Sequence, residues 1–97
     1  MYTVRIDHRV ADFAAWKAAF DSDPAGRAQG GVRRHHVLRA HNEPNYVAID
    51  LEFDDAEQAE AFLERLRTLW ERVEREGLIT GPRAAVFEEV ETQEPAG

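Results

Sequence analysis

The run HRVADFAAWKAAFDSD, residues 8–23, leaves this chain little choice of local structure. Phe13, Trp16 and Phe20 stand at i, i+3 and i+7 and so share one face of a helix. Asp12 precedes them, where its carboxylate can accept the orphan N–H groups of a new helix. Alanines at 11, 14, 15, 18 and 19 favour the helix and keep it slim, and Lys17 lies off the aromatic stripe. Pro24 ends the pattern, because the residue before a proline avoids the α region. The spacing predicts a helix of about two to three turns with three aromatics on its buried side. Phe13 and Phe20 suit a small core, whereas the indole N–H of Trp16 needs a partner.

The flanking segments complete a pattern. In residues 2–10, Tyr2, Val4, Ile6, His8 and Val10 share one face and Thr3, Arg5, Asp7 and Arg9 the other, the period of a half-buried strand. After the helix, residues 21–31 form a loop of Asp, Pro and Gly, long enough to carry function. Residues 32–40 read as a second strand, His41 to Pro44 as a polar turn, and 45–53 as a third strand with Val47, Ile49, Leu51 and Phe53 on one face. Asp54, with Glu57 three positions on, is expected to cap a second helix. Its apolar stripe runs through Ala59, Phe62, Leu63, Leu66, Leu69, Trp70 and Val73. Gly77 falls where a helix C-terminus calls for a positive φ. Gly81-Pro82 makes a turn into a last strand, 82–91.

The order β-α-β-β-α-β with two right-handed crossovers gives a ferredoxin-like α+β fold, a four-stranded antiparallel sheet with both helices on one face. The first and third strands form the central pair. Residues 1–91 are expected to make one domain and 92–97 a flexible tail. The sheet face away from the helices carries Arg5, Asp7 and Arg9 on one central strand and Asp50 and Glu52 on the other, so opposite charges can pair across it. Such a face serves equally as a solvated surface or as a polar contact between two subunits laid back to back.

Composition narrows the function. A domain of 97 residues buries about 60–65% of its unfolded surface, so a second subunit would add to a thin stability margin. The absence of cysteine excludes disulfides, thiolate metal sites and cysteine nucleophiles, and fits a reducing compartment. With 19 acidic residues against 12 basic, the net charge of −7 disfavours nucleic-acid binding. No apolar run approaches the ~20 residues of a membrane span, and MYTVRID has no signal-peptide core. The expectation is a cytoplasmic protein with neither nucleic-acid nor membrane partner.

The run H-x-V-x-D-F-x-x-W-K-x-x-F-D from His8 to Asp21, followed by Arg27, Gly31, Arg39, Pro44-Asn45, Glu52-Phe53-Asp54, Ala59, Phe62, Gly77 and Gly81-Pro82, resembles the dimeric α+β barrel proteins grouped as antibiotic biosynthesis monooxygenase-like. The resemblance spans about residues 4–91. It implies a homodimer whose two sheets join into a barrel, and a cavity in each subunit between sheet and helices. Relatives include cofactor-independent monooxygenases of aromatic polyketides, haem-degrading enzymes, proteins labelled cyclases and many with no assigned activity. The haem-degrading relatives place an axial histidine near the end of the second helix. Residues 71–81 here contain none, which argues against that activity.

Within this frame a few residues carry candidate chemistry. His8, on the apolar face of the first strand, is either a buried neutral histidine bonded to backbone or a general base in the cavity. Trp16, Phe20 and Trp70 either fill the core or line a pocket for a flat aromatic ligand. Arg27, in the long loop, either pairs with Asp21 or Asp23 or holds a ligand's carboxylate or enolate-like oxygen. His35 and His36 point to opposite sheet faces, and His36 is placed with the ligand-binding set. The histidines show no metal-ligand spacing, and neither metal nor cofactor is expected. Three functions remain: a homodimer binding a small aromatic or polyketide-like molecule, a cofactor-independent monooxygenase or cyclase with His8 as its base, and a structural or interaction module with a filled core.

Overall fold

The computed structural model describes residues 1–96. Its elements are β1 (Tyr2–Val10), α1 (Phe13–Asp21), β2 (Arg34–Ala40), β3 (Glu43–Phe53), α2 (Ala56–Arg75) and β4 (Ile79–Glu88). The sheet order is β2-β3-β1-β4, antiparallel throughout, with β3 and β1 at the centre. Alternation explains why. Val4, Ile6 and Val10 of β1 and Val47, Ile49, Leu51 and Phe53 of β3 are all buried on one face. They meet Ala59, Phe62, Leu63 and Leu66 of α2 and Trp16 of α1 in one core.

Helix ends follow local chemistry. Asp12 caps α1, its carboxylate accepting the Ala15 N–H at 2.9 Å. α2 is capped by Asp55 rather than the expected Asp54: Asp55 Oδ1 accepts the Gln58 N–H at 2.8 Å, while Asp54 lies 3.5 Å from Arg33. The two adjacent aspartates offer the same chemistry, and the helix begins one residue later than the capping pair suggested. At its C-terminus Gly77, with φ 79°, donates to Glu74 O, and Leu78 donates to Val73 O, closing the helix in a Schellman motif.

Both prolines near strands enter the sheet instead of standing outside it. The β2–β3 turn is only His41-Asn42, with Ala40 opposite Glu43. Pro44 sits in β3 where the register shifts between Arg39 and Ala40, a bulge that needs no ladder N–H from it. Gly81-Pro82 likewise falls inside β4 at a second shift, opposite the step from Asp7 to Arg9, with Gly81 at φ 62°. β4 ends at Glu88, so the expected strand to residue 91 is too long; Val90 is 89% exposed. Residues 89–96 form neither helix nor strand, and Gly97, the end of the expected tail, lies outside the described residues.

The sheet face away from the helices pairs its charges. Arg5 Nε and Nη2 donate to the two Asp50 oxygens at 2.9 and 3.0 Å, directly across β1 and β3. Asp7 accepts from Arg83 at 2.9 Å and from the Tyr46 hydroxyl. Arg9 pairs with Glu43, and Glu52 holds both Arg34 and His36. Among these charges Leu38 and Phe87 stay about half exposed, at 52% and 51%.

Candidate functional site

The loop from Ser22 to Arg33 has little regular structure, yet α2 fixes it. Arg65 donates to Ala25 O, and Gly30 approaches Phe62 so closely that a Cβ there would lie 2.3 Å from the ring. Asp23 takes a left-handed conformation, φ 57°, and its carboxylate accepts the Arg27 N–H at 2.9 Å. These contacts set Arg27 over the end of α1. Its guanidinium carbon stands 4.0 Å from the Phe20 ring centre, and Nη1 donates to Phe20 O at 2.9 Å.

Beneath this loop, between the sheet and both helices, lies a cavity of about 240 Å³. His8, Trp16, Phe20, Arg27 and Trp70 all line it. A row of rings crosses its wall, with His8 to Trp16 at 5.8 Å and Trp16 to Phe20 at 5.3 Å between centres. The row continues from Phe20 to His35 at 5.4 Å. α2 supplies the opposite wall. Phe62 and Leu66, buried against the sheet, and Leu69, Trp70 and Val73, half-buried, all border the open space.

His8 is 3% exposed, and its Nδ1 lies 3.1 Å from Arg9 O. A carbonyl only accepts, so Nδ1 carries the proton and Nε2 the lone pair. Among the described residues Nε2 has no protein partner, yet no buried side-chain nitrogen or oxygen is left sealed without one. Nε2 therefore reaches open space, and the cavity is the open space that His8 borders. Burial pushes the imidazole below its ordinary value, against smaller upward pulls from the Arg9 carbonyl and the Asp7 charge. At neutral pH the site thus presents an uncharged histidine with a free acceptor nitrogen. His8 is thus bonded to backbone through Nδ1 and also borders the cavity.

His36 stands apart from the cavity. Its β2 position pairs with Asp50, on the outer face, and its Nε2 lies 3.1 Å from Glu52 with the side chain 49% exposed. His35, paired with Leu51, is the histidine that turns to the helix side and meets Phe20. Burial and the nearby charges of Arg27 and Lys17 press its pKa downward. Ala19, Ser22, Leu69, Arg72 and Glu76 also border the cavity, and the sequence pattern does not single them out as site residues. Arg72 and Glu76, 3.9 Å apart, could have been found as the polar end of the α2 stripe. Among the described residues, no three His, Asp or Glu side chains converge to hold a metal ion. None of the helices among them is long and apolar enough to cross a membrane.

No protein-family model matches the chain, and no curated protein does. Solved structures do match. SnoaB, a cofactor-independent oxygenase from Streptomyces nogalater, aligns with a TM-score of 0.74 at 20% identity over 94% of both chains. A proposed antibiotic biosynthesis monooxygenase from Nitrosomonas europaea gives 0.70 at 15%, over 94% of this chain and all of its own. A dimeric ferredoxin-like protein from an uncultured marine organism gives 0.70 at 11%, over 95% and 97%. The neighbours thus include a cofactor-independent oxygenase, a proposed antibiotic biosynthesis monooxygenase and a dimeric ferredoxin-like protein, all sharing this fold. At these identities the likeness carries the fold; the chemistry rests on the site itself.

Proposed function

We propose that the chain is a homodimeric, cofactor-free protein that takes a small planar aromatic molecule into the cavity beside His8. The observation that carries this is the free Nε2 of a neutral, buried His8 opening on a space walled by Trp16, Phe20 and Trp70. A cavity of about 150 Å³ already admits benzene, and drug-sized pockets begin near 300 Å³. The 240 Å³ here suits two or three fused rings. Residues 1–91 act as the folding unit, and its work lies in the cytoplasm. Self-association is supported by the dimeric neighbours and by Leu38 and Phe87, half exposed on a sheet face that no helix among the described residues covers.

A catalytic reading has its own support. An uncharged imidazole with a free lone pair can take the proton of a phenolic hydroxyl, leaving a phenolate and an imidazolium. That step is what a cofactor-independent oxygenase or a cyclase acting on a phenolic substrate asks of its protein, and the similar structure SnoaB is a cofactor-independent oxygenase. The test is titration calorimetry with 2-naphthol, followed by oxygen uptake on hydroxynaphthalenes. Binding that disappears in Ala19→Phe, which fills the cavity, supports the proposal. No binding to the native protein refutes it in favour of a filled structural module. Turnover lost in His8→Ala with binding kept assigns His8 as the base; absence of any turnover leaves a binding protein.

A further inference from the structure

Arg27 is a charged side chain held mostly out of solvent, only 17% exposed, and the protein uses little of it. Nη1 donates to Phe20 O, and the contact to Asp23, at 3.6 Å, is longer than a hydrogen bond. Asp23 is engaged elsewhere, on the Arg27 backbone N–H. Nε and Nη2 have no partner among the described residues and are not sealed, so this edge of the guanidinium opens outward from the protein's own bonds. Arg27 borders the cavity. The same chain shows what that edge binds: Arg5 grips both Asp50 oxygens through Nε and Nη2, at 2.9 and 3.0 Å. That fork is the geometry of a carboxylate.

The other cations, Lys17 outside the cavity lining and Arg72 within it, leave this role to Arg27. Lys17 is spent on Asp21 at 2.7 Å, and Arg72 faces Glu76, both of which line the same space. Stacking on Phe20 fixes the guanidinium, so little freedom remains to be lost on binding. A chain of net charge −7 repels anions at a distance, so a preference for a carboxylate has to arise at contact.

We propose that the ligand is an aromatic acid, its rings among Trp16, Phe20 and Trp70 and its carboxylate on the Nε–Nη2 edge of Arg27, with His8 at the far end of the ring system. This rests on the cavity being a ligand site and adds the chemical class of the ligand. The experiment is calorimetry with 2-naphthoate and its neutral isostere 2-naphthamide, at pH 7.5, on the native protein, Arg27→Gln and Arg27→Lys. The native protein binds the naphthoate about 10- to 100-fold tighter than the amide. Arg27→Gln abolishes the difference, and Arg27→Lys restores part of it. Equal affinity for the two compounds overturns the assignment while the cavity stands as a site. A preference that survives in Arg27→Gln overturns it too. Failure of both compounds to bind the native protein removes the ligand site and the acid with it.

Discussion

His8 ties the cavity to the stability of the fold, and pH exposes the tie. In the unfolded chain its imidazole titrates near 6.5. In the folded protein burial holds it lower, because a charged ring would stand in an apolar wall, and the contact to Arg9 O and the Asp7 charge only partly offset this. The folded state therefore binds fewer protons than the unfolded one as pH falls. The stability contribution is fully present above about pH 6.5 and is lost below it, until the folded ring itself protonates. Between pH 7.5 and 5.5 the unfolded state gains at most about RT ln 11, roughly 1.4 kcal/mol, from this group. In a domain of this size that lowers the melting temperature by about 5–10 °C. His35 is shifted the same way, but it is exposed, and screening reduces its share. The assay is urea unfolding at fixed protein concentration at both pH values, followed by Trp16 and Trp70 fluorescence, on the native protein, His8→Leu and His35→Gln. His8→Leu removes most of the acid loss and His35→Gln little of it. Equal pH dependence in the native protein and His8→Leu would show that the folded ring protonates freely. The neutral tautomer, and with it the base, would then be refuted.

Gly30→Ala drives a Cβ into Phe62 at 2.3 Å and forces the loop off α2; it costs about 1–3 kcal/mol, and an unchanged thermal midpoint would mean that the loop is not fixed there. Phe87→Glu places a new charge on the outer sheet face, where Phe87 is half exposed. Sedimentation velocity at micromolar concentration should show the native protein at twice 11.0 kDa and the variant at the single-chain mass; a dimer in both, or a native monomer, sinks the back-to-back arrangement. The Arg5–Asp50 pair, read by a double-mutant cycle with Arg5→Gln and Asp50→Asn, couples by no more than about 1 kcal/mol if it stays on an exposed surface. Stronger coupling that rises with protein concentration marks it as covered by a second subunit.

The parts of the fold that the sequence made legible are those where one period leaves no alternative. β1 alternates cleanly from Tyr2 to Val10, and that alone put His8 on the helix side, where it is found. β2 does not alternate cleanly: Val37 and Leu38 are neighbours, and both are apolar, so the strand's own residues do not say which of His35 and His36 turns inward. Its register on β3 decides, through the pairing of His35 with Leu51 and of His36 with Asp50. A pairing across the sheet is a tertiary fact that no local period encodes. The same limit appears at Asp54 and Asp55, equal in capping chemistry and separated only by where the helix axis must run to set Phe62 and Leu66 on the sheet. The cavity itself has a different origin. Leu69, Trp70 and Val73 continue the apolar stripe of α2 without a break and, like Phe62 and Leu66, border the cavity, but they are half-buried where Phe62 and Leu66 are buried. Apolar residues announce that a face will be covered, but not by what. From Leu69 to Val73, a little over one turn, the stripe stays half-buried at the edge of the cavity, so an apolar stripe that outruns the fully buried core is the signal that a sequence reader should take for a pocket.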